Sequence, residues 1–257
     1  VLSRLKQMRP GIQNPEYRSL NRIVSIHLAL NRGEFKKAGV LLAASESEID
    51  EFGLIFLYPG FIEAKALQLA YTGQYEDAVR MAEHLKDFSI LEGNDFYEGI
   101  SERIKAVSHY LNKGFSSARK AVQKALDALD PSVKGEIHYY QTRLLAGMIQ
   151  LAQAEYTAAG ELLSPLPDYF NQISSGLNGT QACLAYGIIS YETGQAEKTE
   201  NYLINGIQKA REEEYLFFPF LDQETLVKAL LLALSHASAP KDRSYILKLI
   251  SRCTPER

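Results

Sequence analysis

The residues able to do chemistry are scattered along the chain. The five histidines, 27, 84, 109, 138 and 236, lie in different segments, and none belongs to an HExxH pair. Cys183 and Cys253 are far apart and lack the short local spacing of a zinc site. No Gly-x-Ser-x-Gly elbow, Walker loop or GxGxxG stretch occurs. Glu46-Ser-Glu-Ile-Asp-Glu51 gathers carboxylates, but it has neither the spacing nor the glycine of an EF-hand and reads as a solvated connector. No catalytic residue, metal site or cofactor is expected. What remains is chemistry of recognition: arginine for bidentate contacts with anions, and tyrosine for rigid amphipathic contact area.

Composition points the same way. A formal charge of −3 and a pI near 6.0 give no global reason to bind nucleic acid or an anionic membrane. Two widely separated cysteines imply no disulfide framework, so a reducing, cytoplasmic setting is expected. No run approaches the ~18 apolar residues of a membrane span. The opening Val1-Leu-Ser-Arg has no signal-peptide pattern and no initiator methionine, which leaves open a longer parent protein. Without a secretory signal, the sequon Asn178-Gly-Thr180 reads as accidental, and the basic residues Arg4, Lys6 and Arg9 read as a solvated tail.

The elements that must position any binding residue announce themselves by recurrence. Tyr71-Thr-Gly-Gln-Tyr75-Glu-Asp-Ala78 lies between two apolar stretches of helical spacing. Gly73 suits the left-handed turn that ends a helix, Tyr75 can wedge between helices, and Ala78 allows close approach. Asn31-Arg-Gly33-Glu-Phe35-Lys-Lys-Ala38 repeats the pattern. Asn112-Lys-Gly114-Phe115-Ser-Ser-Ala118 has its glycine one place later, and Gln153-Ala-Glu-Tyr156-Thr-Ala-Ala159 has none. Thr193-Gly194-Gln-Ala196-Glu-Lys-Thr199 keeps only the glycine. The wedge positions 35, 75, 115, 156 and 196 are stepped by 40, 40, 41 and 40 residues. Nine residues before each stand Ile26, Ala66, Ala106, Gly147 and Gly187, four of them small. Two markers sharing one period predict a solenoid of stacked helical hairpins.

A small residue in a first helix, then Gly-x-aromatic, then alanine three later resembles the tetratricopeptide repeat (TPR). This unit is longer than that family's ~34 residues, and the family's tryptophan is absent. The unit length and loose consensus are also similar to the effector-sensing segment of MalT-like bacterial transcription regulators, which in that family precedes a LuxR-type DNA-binding segment.

The reading is therefore an all-α, TPR-like α-solenoid forming a single domain over residues 1–257. Six antiparallel hairpins are expected, at about 17–45, 61–88, 96–129, 135–163, 179–213 and 221–251. Asp130-Pro131 and Ser164-Pro-Leu-Pro167 act as stops, and the stretch to Leu177 reads as a packed loop. First helices should line the concave face, where Arg103, Tyr110, Arg143, Tyr186 and Tyr191 are the candidate binding residues. The resemblance implies a non-catalytic module whose groove takes a peptide or protein. The MalT-like alternative implies a small effector; self-association stays open.

Overall fold

The computed structural model describes residues 14–129 and 136–253. The basic tail, the Asp130-Pro131 stop and the start of the fourth hairpin at Gly135 lie outside them. The regular secondary structure of the described residues is helical, without strands. In chain order the helices are α1 (Pro15–Asn31), α2 (Phe35–Phe52), α3 (Tyr58–Tyr71), α4 (Tyr75–Glu92), α5 (Asp95–Leu111), α6 (Phe115–Ala128) and α7 (Glu136–Leu151). Then follow α8 (Tyr156–Leu163), α9 (Leu166–Gln172), α10 (Gly176–Glu192), α11 (Ala196–Glu212), α12 (Gln223–His236) and α13 (Pro240–Cys253). A 3₁₀ turn at Ile55–Leu57 precedes α3.

Helices α2, α4, α6, α8 and α11 open at the five wedge positions. The residue three further on, Ala38, Ala78, Ala118, Ala159 or Thr199, is completely or almost completely buried in each case. The left-handed residue of the preceding turn is Gly33, Gly73, Lys113, Ala154 or Gly194. Where the glycine is displaced to 114 or missing, Lys113 and Ala154 adopt the left-handed conformation, with φ of 59° and 58°. A side chain is strained there, at ~1–2 kcal/mol.

Each helix packs on the next, an arrangement consistent with an α-solenoid. Contacts also run between first helices, as α1·α3, α3·α5, α5·α7, α7·α10 and α10·α12. Among second helices, a comparably close approach is made only by α11·α13. The first helices thus make the more continuous row of contacts, and their shared side is the inner face. At the centre of this row, α5 and α10 are buried on nearly every side. Gly147 and Gly187 are where the pairs close most tightly: a Cβ would come within 2.4 Å of Leu163 Cγ and 2.7 Å of Leu203 Cγ.

Several boundaries differ from the sequence reading. The acidic stretch 46–51 is not a connector but the last part of α2. Two of its four carboxylates have partners on neighbouring helices: Glu46 with Lys65 at 2.7 Å, and Glu48 with Arg18 and Arg22 at 2.5 and 2.6 Å. Ile49 is buried, and Gly53 ends the helix in a left-handed turn. The stretch after Ser164 is not a loop but contains α9, with Leu166, Pro167 and Phe170 buried; Pro167 occupies a first-turn position, where proline is tolerated. Between α2 and α3, Leu54 and Leu57 pack inward, as does Pro59 in the first turn of α3, while Ile55 and Phe56 face solvent.

Two opposite exchanges of glycine and alanine test this packing. Gly147→Ala should destabilise by ~1–3 kcal/mol through overpacking. Ala154→Gly should stabilise by up to ~1 kcal/mol by relieving a left-handed alanine. Urea unfolding of both variants checks the signs; the same sign for both would contradict the register.

Candidate functional site

The inner row carries two linked features, a polar cluster and a segment of the chain laid across it. Arg103 of α5 is 5% exposed. Its Nη2 pairs with Glu63 of α3, and its Nη1 donates to Gln141 Oε1 of α7 at 3.2 Å. Three consecutive inner helices are joined through one guanidinium. His27 of α1 and His138 of α7 complete the electrostatic group around the pair. The His138 ring meets Phe96 edge to face, with centroids 5.3 Å apart. Arg103 Nε and His138 Nδ1 are buried without a hydrogen-bond partner.

Burial pushes the His138 imidazole down to about 4, aided by the Arg103 charge and opposed by Glu63. Burial likewise lowers His27, against the pull of Glu63. For Glu63, burial favours the neutral acid, but the charges around it, Arg103 foremost, outweigh that and hold its carboxyl below the usual range. Tyr71, beside the pair, is pushed well up by burial.

The second feature lies between α11 and α12. Residues 215–218 have no regular secondary structure, and a turn follows in which Leu221 N–H donates to the Phe218 carbonyl at 3.1 Å. This strap crosses the inner face. Phe217 meets Phe35 and Tyr71 edge to face, at 5.1 and 5.5 Å, and lies against Gly33. At Gly33 a Cβ would come 3.0 Å from Phe217 Cβ, so a side chain would crowd the strap. Phe218, Pro219, Phe220 and Leu221 are buried. Two inner helices hold the main chain of Phe220: Tyr110 Oη of α5 donates to its carbonyl at 2.8 Å, and its N–H donates to Gln181 Oε1 of α10 at 2.8 Å. Phe217, Phe218 and Pro219 also form part of the wall of a cleft of about 1070 Å³, which continues past Tyr75, Phe115 and Tyr156.

The five candidate residues therefore have different surroundings. Arg103 and Tyr110 both lie on the inner face, one in the polar cluster and the other under the strap. Arg143 caps the end of α8 instead, with Nε donating to the Leu162 carbonyl at 3.0 Å and Nη2 to the Glu161 carbonyl at 3.1 Å. Tyr186 packs edge to face with Tyr202 of α11, centroids 4.8 Å apart. Tyr191 is half exposed, with the Lys228 ammonium 6.0 Å from its ring centre. Sequence reasoning missed His27, His138, Gln141 and Gln181; Gln141 and Gln181 each stand fifteen residues before a wedge position, Tyr156 and Ala196, so a shared register position was the available signal for that pair. It also passed over Phe217–Leu221 as a short apolar run, although four closely spaced aromatic and proline residues outside any helical pattern were the available signal.

Among the described residues no group of His, Cys, Asp and Glu is placed to hold a metal ion, and no helix is long and apolar enough to cross a membrane. Compared with protein-family models, with curated proteins and with solved structures, the chain gives no match.

The polar cluster makes two predictions. Arg103→Leu strands a buried carboxylate and should cost ~3–5 kcal/mol, whereas the double change with Glu63→Leu should recover much of that loss. Chemical denaturation of the single and double variants checks this. Because His138 titrates near 6.5 unfolded and about 4 folded, its contribution is complete above pH 6.5 and is lost as pH falls towards 4. Between pH 7.5 and 5.0 this amounts to ~2 kcal/mol, and the pH dependence should shrink in His138→Gln.

Proposed function

We propose that the chain is a non-catalytic binding module that uses its inner face to hold an extended peptide or a peptide-like part of a protein. In this reading residues 1–257 form one TPR-like superhelix of six hairpins with a repeat of about forty residues. The five wedge positions, the five buried small or short residues behind them and the five left-handed turns support that repeat.

The observation that carries the function is the treatment of Phe220. Extended peptides are distinguished from helices by their unpaired main-chain groups, and a groove that binds one must supply donors and acceptors for them. Tyr110 and Gln181 do this for a residue outside any helix, while aromatic neighbours take the side chain of Phe217. Arg103 belongs to the framework of this face through Glu63 and Gln141. Two free cysteines are in keeping with a cytoplasmic site of action.

The alternative, an effector-sensing piece of a MalT-like regulator, draws on the cleft of about 1070 Å³, a volume suited to a small molecule. A metabolite that raises the unfolding temperature by mass action while no peptide binds would favour it.

The test is a random-peptide library presented to the whole chain, with bound peptides carrying a photoreactive diazirine. Cross-links should fall on α1, α3, α5, α10 or the cleft walls. Cross-links confined to the outer helices α2, α4, α6 and α11 at positions other than Phe35, Tyr75 and Phe115, or no bound peptide, would overturn the reading.

A further inference from the structure

The strap has the form of a ligand. It is a stretch without regular secondary structure followed by a turn, with buried aromatic residues and with main-chain groups read by side chains of α5 and α10. Its ends are different in character. Glu212, Glu213 and Glu214 before it, and Asp222, Gln223 and Glu224 after it, are exposed, and Glu214 takes a left-handed turn with φ of 57°. The strap also forms part of the wall of the open cleft, so an incoming chain can meet the groove beside it before the strap has left.

We infer that Tyr215–Asp222 is a displaceable internal occupant of the peptide site. The partner it imitates is an extended peptide with an aromatic-aromatic-proline-aromatic core. Such a peptide competes for Tyr110, Gln181 and the pocket formed by Gly33, Phe35 and Tyr71. This rests on the proposed peptide-binding function and adds both the chemistry of the ligand and the manner of its control. A tethered segment competes at an effective concentration of the order of millimolar, so the closed protein should bind free peptide weakly. Removing the anchor of the strap should raise the fraction of protein with an open site, and with it the apparent affinity.

The probe is the fluorescein-labelled peptide Glu-Tyr-Leu-Phe-Phe-Pro-Phe-Leu-Asp, the sequence of residues 214–222 with blocked ends. Anisotropy titrations should show a Kd at least about tenfold lower for Phe217→Ala than for the unaltered chain. Adding Gln181→Ala should remove most of that gain, because the peptide loses the acceptor for its main chain. Circular dichroism and a cooperative unfolding transition establish that each variant is folded. If Phe217→Ala does not fold, hydrogen exchange on the unaltered chain decides: saturating peptide should speed exchange within residues 215–222 and leave the centres of α5 and α10 protected. A folded Phe217→Ala with unchanged affinity, or bound peptide that leaves the exchange of the strap unchanged, would overturn the inference. In that case library peptides cross-linked to the inner face would still uphold the binding function. Absence of any bound peptide would defeat both.

Discussion

A chain segment buried outside a helix must find partners for its main-chain polar groups, since water no longer supplies them. At Phe220 that need is met by Tyr110 and Gln181, on helices that do not contact each other closely. The closure of the inner face depends on this bond pair. Stacked helix pairs by themselves contact only their neighbours. The strap reaches from the end of α11 to the turn between α1 and α2, where Phe217 rests on Gly33 and Phe35. Early and late parts of the chain are thereby joined across the inner face, beside a cleft of which the strap forms part of the wall.

The polar cluster deals with the same constraint by charge. Burying Arg103 and Glu63 carries a desolvation cost, which at Glu63 the surrounding charges, Arg103 foremost, outweigh. What the pair contributes is geometry. A guanidinium with rigidly forked donors fixes α3, α5 and α7 relative to one another, and the neighbouring imidazoles stay neutral at physiological pH. These inner helices are therefore held in fixed relation to one another beside the strap.

The features legible in the sequence were those produced by local rules repeated along the chain. A buried alanine three residues into a second helix, or a left-handed residue before it, recurs because each pair meets the same steric demand. Lys113 and Ala154 show that the demand is on the backbone, since the turn persists where glycine is displaced or absent. Less legible were features set by contacts distant in sequence. Residues 46–51 looked like a solvated connector until Lys65, Arg18 and Arg22 supplied their partners. Pro165 and Pro167 looked like a stop, but proline near the start of a helix is compatible with α9. Arg103 and Tyr110 could be placed on the inner row by register, and Gln141 and Gln181 share a register position of their own, yet nothing local disclosed that the first meets Arg103 and the second the main chain of Phe220. Arg143 stands one residue before Leu144, the position equivalent to Arg103, and that one residue of rotation directs its long side chain to the end of α8 instead.

The central claim is that the strap holds the two ends of the inner face together. It is most directly tested by a distance between spin labels at the exposed positions Lys36 and Glu213, with Cys183 and Cys253 replaced. The account predicts a short, narrow distance distribution that broadens when Phe217 and Phe220 are both changed to alanine. A long or broad distribution in the unaltered strap would contradict it.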